Sequence, residues 1–223
     1  VQPVRALRSS TGHPHPALRA AKPHVDQVVF YMLAVKISVR GWEKLGSGME
    51  EVRAANKEYV KNFGFRADLG GTPSNNLAVL TCMDARVEPM KILGLDLGEA
   101  NVIRNAGARV TDDAIRSLTA STRLLGADTI FVLHHTNCGM AKQTDEEVIE
   151  AVSGGDDEVR EAAEKIEWGT IDSEPAALIE DVQKLRESPL IASDVAIHGL
   201  LLDIDTGEVV EVAEATDLGT SAS

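Results

Sequence analysis

The chain has 223 residues, 43% of them hydrophobic and 26% charged, with 35 Asp and Glu against 22 Lys and Arg and a formal net charge of -13. That length suits one domain with a real core, and the composition excludes a disordered chain. The acidic balance argues against a nucleic-acid binder held by phosphate contacts and against a partner on an anionic membrane.

The first 24 residues differ from the rest. No acid precedes Asp26, while Arg5, Arg8, Arg19 and Lys22 are basic and Pro3, Pro14, Pro16 and Pro23 break the segment. Residues 1–24 read as a basic disordered arm or the remnant of an organellar transit segment. Such an arm is compatible with a plastid or mitochondrial address and does not choose a compartment. Residues 25–223 read as a single domain. From Val25 to about Leu45 the apolar spacing is helical, and the run Val28–Val35 is apolar all round before Lys36 ends it. A membrane span needs about 20 such residues, so the segment is expected to be a helix buried on two sides, laid across a partner subunit. A second, more polar helix is expected over Met49–Phe63.

The middle of the chain alternates. Leu77–Thr81 reads as a strand, Pro89–Leu95 as a short helix and Asn101–Ile103 as a second strand. A helix follows from Thr111-Asp112-Asp113 to Leu125, with a capping hydroxyl, acids in its first turn and Gly126 past its end. Thr129–Leu133 is the third strand. Acidic helices are expected over Asp145–Val152, Asp157–Ile166 and Pro175–Glu187. A strand and hairpin close the chain, over Val195–Ile204 and Glu208–Val212 around Asp205-Thr206-Gly207. Strands without internal alternation, separated by helices, predict an α/β fold. Its central sheet is mostly parallel and covered by helices on both faces, with an N-terminal helical arm and a C-terminal strand hairpin. Ligands in such sheets sit at the carboxyl ends of the strands.

Both cysteines fall at strand exits. Cys82 ends the first strand in Thr81-Cys82-Met83-Asp84-Ala85-Arg86, and the third runs into His134-His135-Thr136-Asn137-Cys138-Gly139. Two thiols in a chain this long are buried spectators, one long-range disulfide, or metal ligands. If the first and third strands are neighbours, Cys82, His135 and Cys138 converge. Two thiolates and one imidazole make a tetrahedral zinc site with one position open. Asp84 as a fourth ligand would close it.

The set Cys82-x-Asp84-x-Arg86, Arg104-Asn105-Ala106-Gly107 and His135-x-x-Cys138-Gly139 resembles the β-class carbonic anhydrases. The wording of Val110–Arg116 and His134-His135-Thr136 is most similar to the compact bacterial and archaeal branch, which includes carbon disulfide and carbonyl sulfide hydrolases. The resemblance covers about Leu77 to Asp145, and the terminal strand pair extends it. It implies one Zn2+ per subunit on Cys82, His135 and Cys138, a catalytic dyad of Asp84 and Arg86, and a homodimer or higher homo-oligomer with its sites near the interface. It also implies reversible hydration of CO2 to bicarbonate. The alternative on the same site is hydrolysis of carbon disulfide or carbonyl sulfide, and a lesser one is a non-catalytic, zinc-stabilised oligomer. In the chemistry so implied, Asp84 accepts a hydrogen bond from the activated water, and Arg86 holds Asp84 off the zinc by a bidentate pair. Two thiolates offset the zinc charge, so activity is expected to rise at alkaline pH.

Only the family spacing selects His135 over His134, which is then expected to be a core histidine or a support for the site. Asn105-Ala106-Gly107 either brings backbone close to the metal or is a plain tight turn. Asp113 and Arg116 are expected to pair locally, and His198 has no evident partner. His13, His15 and His24 lie in the arm. The glutamine and aromatic residues of the plant-like branch have no clear counterpart here, and Asn137 stands where relatives often carry Asp, so the sequence leaves the pocket wall open.

Overall fold

The computed structural model describes residues 48–220. The arm over residues 1–24 and the helix expected over Val25–Leu45 lie outside them. The described residues fall into two compact units, divided between Gly64 and Phe65. In the first, helix α1 spans Gly48–Lys61, with Glu50 and Glu51 in its first turn and Lys61 in its last, each matched to the helix dipole. Tyr59 and Phe63 meet edge to face there, ring centroids 5.6 Å apart.

The second unit is an α/β body. Its elements are β1 (Leu77–Cys82), α2 (Pro89–Ile92), β2 (Ala100–Asn105), α3 (Asp112–Leu124), β3 (Thr129–His135), α4 (Asp145–Ser153), α5 (Asp157–Ala163), α6 (Glu174–Glu187), β4 (Ala196–Leu202), β5 (Val209–Glu211) and α7 (Ala213–Thr220). The sheet order is β2-β1-β3-β4-β5. The first four strands are parallel and β5 returns antiparallel to β4. The chain leaves β1 to one side for β2 and to the other for β3, and such a reversal opens a crevice at the carboxyl edge.

Local chemistry sets the element ends. Thr111 accepts the Ala114 N–H at 3.2 Å to start α3, and Thr144 and Glu147 form a reciprocal capping box at α4. All six residues of β1 are buried, which is why that strand lacks a polar alternation. On one face Ala78, Leu80, Ile130, Val132 and Ile197 pack against Leu118 of α3, Leu178 and Val182 of α6 and Ala215 of α7. On the other, Leu133 and Leu202 pack with Val87 and with Ile92 of α2.

Three details differ most from the sequence expectation, beside shifts of one to three residues at other element ends. The helix expected over Pro89–Leu95 is a single turn, ended by Gly94 at φ 67°. Strand β3 runs two residues further, because β4 continues alongside it and pairs His134 with Leu201 and His135 with Leu202. Helix α7 was not expected, since it docks through small residues. Ala215 faces Gly199, and Gly219 lies so close over Ile197 that a Cβ there would collide with backbone. Among the described residues, no helix is long and apolar enough to cross a membrane.

Candidate metal centre

Strands β1 and β3 are hydrogen-bonded neighbours, so their exits meet. Cys82 is the last residue of β1, His135 the last of β3, and Cys138 follows three residues later. Their ligand atoms lie within 4.8 Å of one another, and all three residues are buried. The two sulfurs are 3.9 Å apart. The loop between His135 and Cys138 turns at Asn137, which takes the left-handed conformation at φ 55°. Gly139, directly after the second cysteine, has no positive φ, so Asn137 alone makes that turn. Asn is the non-glycine residue best suited to that region.

The donors fit a metal. The Nδ1–H of His135 donates to the Thr136 carbonyl at 2.9 Å, which fixes the tautomer and leaves Nε2 as the free lone pair. That Nε2 is buried without a hydrogen-bond partner, a costly state for a polar atom unless something binds it. Two sulfurs and one imidazole are the donor types zinc selects. The thiols share a charge between them. Cys82 is drawn down to about 4, first by the neighbouring Cys138 thiol and then by His135 and the Asp84 and Gly107 backbone N–H groups. Cys138 is pushed up, chiefly by the Cys82 thiolate and by burial. His135 is raised, first by Cys82.

Asp84 and Arg86 stand beside these donors. Arg86 Nε donates to Asp84 Oδ1 at 3.0 Å and Nη2 to Oδ2 at 2.7 Å, a bidentate fork, and the Arg86 backbone N–H adds a bond of 2.9 Å to Oδ1. This fork holds the Asp84 carboxyl well below the usual carboxylate range. Asp84 Oδ2 lies 3.9 Å from His135 Nε2. Arg86 also reaches the Asn137 carbonyl at 3.3 Å, tying the first strand exit to the second.

All five residues singled out from sequence therefore meet at one sheet edge. Gly107 is there for clearance: at φ 75°, a Cβ would come within 3.3 Å of Ile171 Cδ1 and Arg109 Cγ. Ala108 follows it in the same left-handed region. Asp113 pairs with Arg116 at 2.7 Å as expected. His198 does have partners, Glu211 at 3.1 Å and the edge of Phe131. His134 points away from the donors and into the core, its Nε2 3.2 Å from Asp181 Oδ2.

Two contributors escaped the sequence reading. Arg104 of β2 donates from Nε to the Cys82 carbonyl at 3.0 Å and from Nη2 to the Asp84 carbonyl at 2.8 Å, so it holds the backbone that presents both. Glu174, at the start of α6, accepts the Asn137 N–H at 3.2 Å. The motif wording drew attention to Arg104 without giving its task, and nothing local marks Glu174.

Comparison with known proteins agrees. The carbonic anhydrase family model matches residues 77–209. Beta-carbonic anhydrase 1 of Mycobacterium bovis is 40% identical over 167 residues, covering 73% of this chain and 96% of that protein. A carbon disulfide hydrolase of Acidianus sp. is 35% identical over 158 residues, covering 61% and 77%. The crystal structure of carbonic anhydrase from Streptococcus mutans superposes with a TM-score of 0.68 at 41% identity, covering 74% of this chain and 98% of that one. The chain belongs to the β-carbonic anhydrase family.

Proposed function

We propose that this chain is a zinc enzyme that interconverts CO2 and bicarbonate, with Cys82, His135 and Cys138 holding the metal and Asp84 and Arg86 serving the reaction. The observation that carries the reading is the meeting of two sulfurs and an unpartnered imidazole nitrogen beside a carboxylate already engaged by arginine. Zinc, when bound, supplies Lewis acidity that makes a water nucleophilic near neutral pH. The residues of the chain do the rest. Asp84 is an ionised acceptor close to the donor set, able to take a hydrogen bond from the attacking water and so orient its lone pair toward the substrate carbon. Arg86 occupies both Asp84 oxygens and keeps that carboxylate from competing for the metal. The His135 Nδ1–H bond to Thr136 locks the ring that presents Nε2.

This arrangement also bears on the other readings. An inert, closed zinc site would need Asp84 free to ligate, and its pairing with Arg86 speaks against that. Hydrolysis of carbon disulfide would use the same residues, and the relative in Acidianus supports keeping that substrate in the test. A homo-oligomer is part of the proposal. Sedimentation at several concentrations would detect the assembly.

Stopped-flow CO2 hydration by zinc-loaded protein at neutral and alkaline pH, beside Cys82→Ser, tests the activity. The expected result is fast hydration that increases with pH and falls at least about 100-fold in the variant, beyond the usual loss for a residue outside the ligand set. Absence of hydration at either pH with zinc retained would refute it, and carbon disulfide and carbonyl sulfide are then assayed on the same protein.

A further inference from the structure

Asp181 interrupts the apolar face of α6. Leu178, Val182 and Leu185 around it are buried, and Asp181 itself is only 2% exposed. A carboxylate so placed needs partners, and it has three. Its Oδ1 accepts the Val110 N–H at 2.9 Å. Its Oδ2 lies 2.9 Å from Arg109 Nε and 3.2 Å from His134 Nε2. Neither of the last two has the alignment of a hydrogen bond, so the Arg109 contact is an ionic attraction.

Arg109 in turn gathers the backbone around the cysteines. Its Nη1 donates to the Thr170 carbonyl at 3.4 Å and its Nη2 to Glu180 at 3.3 Å. Its stem passes two glycines, since a Cβ on Gly107 would come within 3.3 Å of Arg109 Cγ and one on Gly169 within 3.2 Å. Ile171, just beyond, donates its N–H to the Met140 carbonyl at 2.9 Å. Segments 106–110 and 169–171 thus close on one arginine side chain anchored by Asp181, and 138–141 is tied to them through Ile171. Ala108 of the first and Ile171 of the second pack with Cys82 and Cys138 in one buried cluster, and the third begins with Cys138. A buried ion pair adds little stability compared with an apolar replacement, so core packing alone does not account for an acid at this position.

We propose that Asp181, acting through Arg109 and Val110, is a positioning residue for the metal centre. It fixes the 106–110 segment, whose Ala108 packs against Cys82 and Cys138, so that the two sulfurs keep one spacing. The inference rests on the reading that Cys82, His135 and Cys138 hold the metal, and it deepens that reading.

The test loads the full chain with Co2+, records the thiolate charge-transfer and ligand-field bands, and times release of the metal to a chelator. Asp181→Asn keeps the shape and the acceptor for Val110 while removing the charge that faces Arg109. The double variant Arg109→Met/Asp181→Asn removes both charges, so no lone charge stays buried. Val182→Ala, one residue along the same helix, controls for loss of packing. Both network variants are expected to fold, to shift the ligand-field bands and to release cobalt about tenfold faster, at the low end for supports of metal ligands. Val182→Ala is expected to melt earlier with an unchanged spectrum. The proposal is overturned if the network variants keep the wild-type spectrum and release rate, if Val182→Ala moves the bands as far, or if both network variants fail to fold. Wild-type protein that takes up cobalt without thiolate bands would refute the metal reading itself, and this inference with it.

Discussion

Two aspartate–arginine pairs stand around the same small cluster of donor atoms, and they are built in opposite ways. Asp84 and Arg86 are two residues apart on one turn, with 49% of the Arg86 side chain exposed. Asp181 and Arg109 come from α6 and from the segment after β2, with side chains 3% and 18% exposed. The outer pair makes well-aligned hydrogen bonds through both carboxylate oxygens. In the inner pair one oxygen takes a backbone N–H and the other faces charge without alignment. An exposed pair can be lost and remade at little cost to the fold, which suits a group that must stay available to a reaction. A buried pair cannot part without leaving a charge in the core, which suits a group whose task is to keep geometry constant.

That contrast predicts opposite responses to truncation. The largest effect on folding is expected from Asp181→Ala, which leaves Arg109 without its anchor and the Val110 N–H without its acceptor. Breaking one side of a buried pair costs about 3 kcal/mol, and for a body of this size that lowers the Tm by about 6–12 °C. Differential scanning calorimetry reads this directly, and an unchanged Tm would mean that the inner pair does not bear on the fold. Arg86→Ala is expected to act the other way round. It frees both Asp84 oxygens, so CO2 hydration should fall about 10- to 100-fold, while calorimetry finds the Tm where it was. A variant with full activity would remove Arg86 from the dyad.

The same contrast explains what could be read from the chain. Parallel strands showed as unbroken apolar runs because both sheet faces are covered, and Cys82-x-Asp84-x-Arg86 was legible because its partners are local. The convergence of His135 and Cys138 on Cys82 was legible once the strands were taken as neighbours and the family spacing chose His135 over His134, since β1 and β3 both end at that edge. Asp181 was not, although an acid between Leu178 and Val182 on an apolar helix face was a usable signal. Its three partners lie far away in the sequence, and no spacing rule links them. Arg104 escaped in its detail for the same reason, because its hydrogen bonds go to backbone carbonyls at the end of β1 and in the turn after it. Helix α7 was missed because it docks by close approach of Ala and Gly, which leaves little apolar periodicity.

The smallest expected effect concerns acid. The Arg86 fork depresses the Asp84 carboxyl. A depressed carboxyl contributes its interaction above its unfolded value, about 3.9 for a free Asp, and loses it only as the pH falls through the lower folded value. Between neutral and alkaline pH, Asp84 therefore stays charged and cannot account for a rise in activity there. Carbon-13 NMR of the Asp84 carboxyl in zinc-loaded protein should give no titration over that range. In Arg86→Ala the carboxyl is expected to move back up toward ordinary values, still far below neutrality. If the hydration rate of the wild type rises with pH while the Asp84 signal stays fixed, the titrating group is the water that the metal activates. If the two move together, Asp84 itself changes state, and the outer pair is a switch in addition to an acceptor.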